Sequence, residues 1–319
     1  PYTLYEQLTR AGEMAQRVPK GPTFLDVPIE TMIHDWTPAA KIRKVPSAPK
    51  TQATSDSISK LEELLSNSMS PLIITEYAGK DAEGFANLVK LAELLAIPVI
   101  EGPSVCSNFP KSHPLHLGFN AGRYLSQADV VLVAGSKSPW YPPSAGPANA
   151  TVVVMGDNPI KGQMVYQNLL ADMYVEGDLT IGLGLLIDAL QASGAGSHSK
   201  VDERRTRWEA EHNQLQESNR QAVEEAKTKQ PIDPVWLCAA VNQVMPKDTI
   251  FVEEVTSHRG TVVSHVEWEE PHQYFHPSGG LGQGLGLALG VKLASPNQPV
   301  VALMGDGGFL YNPVTQSFG

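Results

Sequence analysis

The run Pro299-Val300-Val301-Ala302-Leu303-Met304-Gly305-Asp306-Gly307-Gly308 is an apolar segment that ends in an aspartate set among glycines. A short, continuous Val/Leu/Ala run bounded by turn residues reads as an apolar strand. In open α/β sheets ligands bind beyond the carboxyl ends of the strands, which is where Asp306 falls. The glycines around it let a ligand approach the backbone closely. A single carboxylate in such a place suits Mg2+, which in turn holds phosphates. The same residues also suit a tight turn with a capping aspartate.

Upstream, Pro277-Ser278-Gly279-Gly280-Leu281-Gly282-Gln283-Gly284-Leu285-Gly286 opens a helix in which Gly282, Gly286 and Gly290 recur every four residues. That spacing predicts one smooth face for close packing, against a ligand or against another helix. Further upstream, Ile250-Phe251-Val252-Glu253-Glu254-Val255-Thr256-Ser257 places two hydroxyls where a strand ends and a helix begins. Helix N-termini with hydroxyls and free N–H groups receive phosphate, and ordinary capping uses the same residue types.

Outward from these segments the chain alternates strands and helices, which predicts an α/β fold of parallel open sheets with helices on both faces. Between 57 and 192, strands are expected at Leu72–Thr75, Pro98–Ile100, Val130–Ala134 and Thr151–Met155, with helices at 57–66, 81–95 and 178–191. A charged stretch at 201–229 reads as a solvated connecting helix. From Asp233, an N-cap followed by Pro234, the pattern gives helix 234–244, strand Thr249–Val252, helix 257–265, a short strand near Tyr274, helix 283–294 and strand Val300–Met304. At the other end, residues 4–17 have helical spacing, and Thr23-Phe24-Leu25-Asp26-Val27 reads as a short strand closed by Pro28. The polar, proline-dotted text from about 29 to 55 reads as a linker.

Composition narrows the function classes. With 319 residues, 42% hydrophobic and 18% charged, the chain can bury two cores. A formal charge of −10 without a Lys/Arg run argues against nucleic acid and leaves small molecules as partners. No apolar stretch reaches the roughly 20 residues that span a bilayer, so no membrane role is expected. Cys106 and Cys238 stand far apart, without the spacing of a zinc site, and read as buried thiols.

The three segments, in this order and spacing, resemble the diphosphate-binding domain of thiamine-diphosphate-dependent enzymes. The resemblance extends over nearly the whole chain, and from Gly279 to Gly307 it is closest to benzoylformate decarboxylases and acetolactate synthases. Gly21–Pro28 resembles the last strand of the family's pyrimidine-binding domain, and Ala128-Asp129-Val130-Val131-Leu132-Val133 matches the style of its central domain. The implied organisation is 1–28 as the tail of a pyrimidine-binding domain, 29–56 as linker, 57–192 as a central Rossmann-like domain, 193–232 as a helical connector, and 233–319 as the front part of an incomplete diphosphate-binding domain.

The resemblance implies thiamine diphosphate and Mg2+ as cofactors and a 2-oxo acid as substrate of a lyase or carboligase. It implies that Asp306 ligates Mg2+ and that Gly305, Gly307 and Gly308 lie against the diphosphate, the last two through N–H groups. Thr256 and Ser257 would contact its oxygens. Leu281 would be the apolar wedge that bends the cofactor, and the Gly279 carbonyl would help hold the aminopyrimidine ring. Bending brings the cofactor's own amino group to the carbon it deprotonates. The family also uses a glutamate from the pyrimidine domain, expected before Pro1, and an asparagine roughly two dozen residues after the aspartate as a further Mg2+ ligand. Thirteen residues follow Asp306, so the chain as given is expected to be cut at both ends and inactive by itself. His258 and His276 flank the cofactor segments and are candidates for proton transfer, against solvated or capping roles. The loop Ser138-Pro139-Trp140-Tyr141-Pro142-Pro143 holds no histidine where the benzoylformate decarboxylase relatives have one, which argues against an aromatic oxo acid. No FAD fingerprint is found, and FAD is not expected. Family resemblance implies a homodimer or homotetramer; a cytoplasmic location is expected, with a mitochondrial one as the alternative. The competing reading is a non-catalytic α/β scaffold, which has no need to keep Asp306 together with Leu281.

Overall fold

The structure, a computed structural model, describes residues 3–35, 46–160, 171–197, 199–277 and 279–312. Helix α1 (Leu4–Gln16) buries none of its residues, and a single turn α2 (Ile29–Met32) follows. The strand expected at Thr23–Val27 does not form. No other strand pairs with it among the described residues, and Phe24 is 93% exposed, so the segment has neither a ladder partner nor a cover for its aromatic ring. Residues 36–45 of the expected linker lie outside the described residues.

The first lobe opens with α3 (Ser55–Asn67), whose N-cap Thr54 accepts the Ser57 N–H at 3.2 Å. It continues through β1 (Pro71–Thr75), α4 (Ala82–Leu95), β2 (Val99–Glu101), a turn α5 (Gly122–Leu125), β3 (Val130–Ala134), β4 (Thr151–Gly156), β5 (Met173–Glu176) and α6 (Leu179–Ser193). The sheet is parallel throughout, in the order β2-β1-β3-β4-β5. β1 and β3 are buried at every position, which explains their unbroken apolar text. β5 was not expected from the sequence. It is an edge strand with only Val175 buried, so its polar-dotted text gives no strand signal.

Helix α7 (Ser199–Ala226) replaces the expected solvated connector with a helix that buries one face. Val201, Arg204, Trp208 and His212 are buried along it. The Arg204 guanidinium donates to Ser68 O at 2.9 Å and to Leu95 O at 2.6 Å, capping the carboxyl ends of α3 and α4, where a cation is favoured. Charge at those positions hid the burial from the pattern.

The second lobe comprises α8 (Pro234–Val244), β6 (Ile250–Glu254), α9 (Arg259–His265), β7 (Tyr274–Phe275), α10 (Gly284–Ala294), β8 (Val300–Met304) and a short α11 (Asp306–Leu310). Its sheet is parallel in the order β7-β6-β8. Asp233 caps α8 by accepting the Val235 N–H at 2.9 Å. The lobes meet where residues 105–107 run beside β7: Ser107 N–H donates to Tyr274 O at 3.1 Å, and His276 N–H to Val105 O at 3.0 Å. Both cysteines are buried and unpaired. No described helix is long and apolar enough to cross a membrane.

Candidate functional site

Because β6 and β8 are parallel neighbours in register, with Glu254 opposite Met304, the residues that leave their carboxyl ends emerge side by side. Val255-Thr256-Ser257 leaves one strand and Gly305-Asp306-Gly307 the other. The turn before α10 is drawn to the same end by a residue that the sequence reading missed. Glu254 is 6% exposed, and its Oε2 accepts the Gly284 N–H at 2.5 Å while Oε1 accepts the Gly282 N–H. Its carbonyl accepts the Gly305 N–H at 3.0 Å. One residue thus ties together all three motif segments. The only trace of it in the sequence is a pair of adjacent carboxylates at the end of an apolar strand, one of which faces each side of the sheet.

The glycines serve this tie rather than the every-fourth-residue face that the spacing predicted. Gly286 and Gly290 are exposed, and a Cβ at either would meet nothing. At Gly284 a Cβ would lie 2.7 Å from Glu254 Oε2, so the close approach is to a carboxylate. Gly279, Gly280 and Gly282 take φ of 95°, 67° and 81°, which side chains rarely adopt, and this carries the chain around the turn. Leu281 stands out from that turn, 59% exposed.

Asp306 is the exposed first residue of α11, and no side-chain hydrogen bond engages it among the described residues. Thr256 and Ser257 are exposed as well, and their hydroxyls do not cap α9. The N-cap there is His258, also without a side-chain cap bond. His276 is drawn in: its Nδ1 lies 2.9 Å from Oε2 of Glu253, a wholly buried carboxylate. Burial alone would raise the Glu253 carboxyl, but hydrogen bonds from His276, the Val255 N–H and the Tyr274 hydroxyl hold it below the ordinary value. The Tyr274 hydroxyl is pushed well above its ordinary value by burial and by Glu253.

Among the described residues, this end of the sheet offers one unpartnered carboxylate, two unpartnered hydroxyls, and glycines at 279 and 307 with open space where a side chain would stand. Among the described residues no three His, Cys, Asp or Glu side chains converge to cage a metal. That donor set fits Mg2+ carried with a diphosphate, since Mg2+ keeps waters and takes one or two protein carboxylates beside phosphate oxygens. The first-turn N–H groups of α11 have no helical acceptor and suit an anion.

Two family models match the chain: the thiamine pyrophosphate enzyme central domain over residues 58–189, and the thiamine pyrophosphate enzyme C-terminal TPP binding domain over residues 254–318. Together they cover well over half of it. The chain belongs to the thiamine-diphosphate-dependent enzyme family. The benzoylformate decarboxylase of Pseudomonas aeruginosa is 28% identical over 325 residues, covering 95% of this chain and 56% of that protein. A probable acetolactate synthase large subunit of Methanococcus aeolicus is 25% identical, covering 95% of this chain and 54% of that protein. The chain thus spans about half the length of the curated relatives it matches. The crystal structure of benzoylformate decarboxylase from Polynucleobacter necessarius superposes with a TM-score of 0.79 at 22% identity, over 99% of this chain and 58% of that one, and shows the shared fold. Within this thiamine-diphosphate enzyme chain, the second family model begins at Glu254 and runs through the glycine turn to Asp306 and beyond.

Proposed function

We propose that this chain carries the diphosphate and Mg2+ site of a thiamine-diphosphate- and Mg2+-dependent lyase or carboligase acting on small 2-oxo acids. One observation carries the reading: Thr256-Ser257, Gly279–Leu281 and Asp306–Gly308 converge at the carboxyl ends of β6 and β8, tied by Glu254, in a chain of this family. Asp306 holds Mg2+. Gly305, Gly307 and Gly308 lie against the diphosphate, the last two giving N–H groups, and Thr256 and Ser257 give hydroxyls. Leu281 supports the cofactor as an apolar wedge, and the Gly279 carbonyl takes a hydrogen bond from its aminopyrimidine ring. When bound, thiamine diphosphate supplies the nucleophilic carbon and electron sink for cleaving the bond next to a 2-oxo group. The protein's own part is to bind, orient and exclude water. The family resemblance supports a homodimer or homotetramer; the buried thiols suit a reducing compartment, the cytoplasm, with mitochondria as the alternative location.

Titration calorimetry of the full-length protein with thiamine diphosphate tests this reading. Binding is expected with Mg2+ present and lost on its removal by chelation. Absence of binding with Mg2+ present overturns the reading.

A further inference from the structure

Side chains alternate along a strand, so Glu253 and Glu254 leave β6 on opposite faces. Glu254 goes to the glycine turn. Glu253 goes into the seam between β7 and the 105–107 segment, where it is wholly buried. Its Oε2 accepts the Tyr274 hydroxyl at 2.9 Å and lies 3.5 Å from Arg259 Nε, and its Oε1 accepts the Val255 N–H. The fourth group on this carboxylate is His276, whose Nδ1 is 2.9 Å from Oε2 and 3.0 Å from the Glu253 carbonyl.

Both atoms facing Nδ1 are acceptors, so Nδ1 carries the hydrogen and the tautomer is fixed. Nε2 then has its lone pair free in the neutral ring, and no hydrogen bond engages it among the described residues. The ring is also held through its backbone, because the His276 N–H donates to Val105 O. His276 stands three residues before Gly279 and five before Leu281, at the entrance to the glycine turn. A buried carboxylate that orients an imidazole from behind and leaves its far nitrogen available is the arrangement of a general acid–base pair.

We infer that Glu253 and His276 form such a pair, with Glu253 as the positioning residue and His276 Nε2 as the atom that handles a proton for the 2-oxo acid reaction. This rests on the function proposed above. The imidazolium gives its Nε2 proton to the substrate oxygen on which negative charge develops, and the neutral ring takes a proton back from that hydroxyl as product leaves. His276 thus ends in the protonation state in which it began, the one proton that decarboxylation takes up comes from solvent, and Glu253 remains an anion throughout, contacted also by Arg259 and Tyr274.

Two readouts on the full-length protein test the pair. In the cofactor-free state, 15N spectra of labelled histidine are expected to show hydrogen on Nδ1 of His276, and E253Q is expected to mix the tautomers. At a pH where the ring is neutral, hydrogen on Nε2 in place of Nδ1 in the wild type overturns the proposal. In turnover, His276→Asn keeps a donor near the Nδ1 position but removes Nε2. Its kcat is expected to fall roughly 100-fold with the KM for a 2-oxo acid changed less than about threefold. E253Q is expected to lose about tenfold in kcat. A merely structural network predicts a His276→Asn enzyme with kcat within about threefold of wild type, and that result overturns the proposal. Calorimetry separates the two levels: wild type that fails to bind thiamine diphosphate with Mg2+ sinks the proposed function and the pair with it, whereas intact binding with indifferent variants sinks the pair alone.

Discussion

At the scale of single residues, the site divides into groups with structural partners and groups without them. Asp306 is exposed and has no side-chain partner among the described residues, so Asp306→Ala should leave the thermal unfolding midpoint nearly unchanged, within about 0.5 kcal/mol. The same change should abolish Mg2+-dependent cofactor binding in calorimetry. Glu254 is the opposite case. Removing its carboxylate strands the Gly282 and Gly284 N–H groups, at about 1–3 kcal/mol for a buried donor left unsatisfied. Glu254→Ala should therefore lower stability in denaturant titrations, and Glu254→Gln, which keeps an acceptor oxygen, should lower it less. Equal losses for the two variants would show that the acceptors do not matter. The place of Asp306 at the end of β8 was legible in the sequence because it is local: a strand, a glycine, a carboxylate. Glu254 was not, because its partners lie 28 and 30 residues onward and are backbone groups with no side chain to mark them.

Among the elements, α10 carries the sharpest contrast. At Gly284 an added Cβ would meet Glu254 Oε2 at 2.7 Å and Glu254 Cβ at 2.8 Å, and that carboxylate is pinned by the turn it holds. Gly284→Ala should cost about 1–3 kcal/mol through overpacking. At Gly286 and Gly290 the added methyl meets open space, so alanine there should stabilise the helix by about 0.5–1 kcal/mol each. Thermal melts of the three single variants decide this, and a stable Gly284→Ala would mean that the turn adjusts freely. Elements whose signal is carried by their own residues were readable in this way: α8 from Asp233-Pro234, and β3 and β8 from unbroken apolar runs. Elements whose status depends on neighbours were not. Thr23–Val27 has strand-like text and, among the described residues, no strand to pair with, β5 has an edge strand's text and a neighbour in β4, and α7 buries an arginine that reads as solvated.

For the whole molecule, the order of sheets and helices followed from alternation of the text, but the seam between the lobes did not, since it is built from loops and lone polar side chains. Lys111 is its centre. From the first lobe it reaches the carboxyl end of α9, donating to Val263 O at 2.7 Å, to Ser264 O at 3.1 Å and to Val266 O, with its ammonium 4.5 Å over the Trp268 ring. A cation at a helix carboxyl end is favoured, but complete burial opposes the charge and brings the Lys111 ammonium down to about 8, against an opposing pull from Glu101, Glu267 and Glu269. In the unfolded chain the group titrates near its ordinary value of about 10.5. Above that value both states are neutral at this position. As pH falls towards 8 the unfolded chain takes up a proton that the folded chain refuses, so folding loses stability, and below 8 both states are protonated and the loss stays constant. The difference amounts to about 3 kcal/mol between pH 8 and 10.5. Lys111→Met cannot titrate, so urea unfolding of wild type and variant across that interval should diverge by about this amount, with wild type gaining on the variant as pH rises. Parallel curves would mean that Lys111 keeps an ordinary affinity for its proton inside the seam, held there by the three carbonyls and the indole ring.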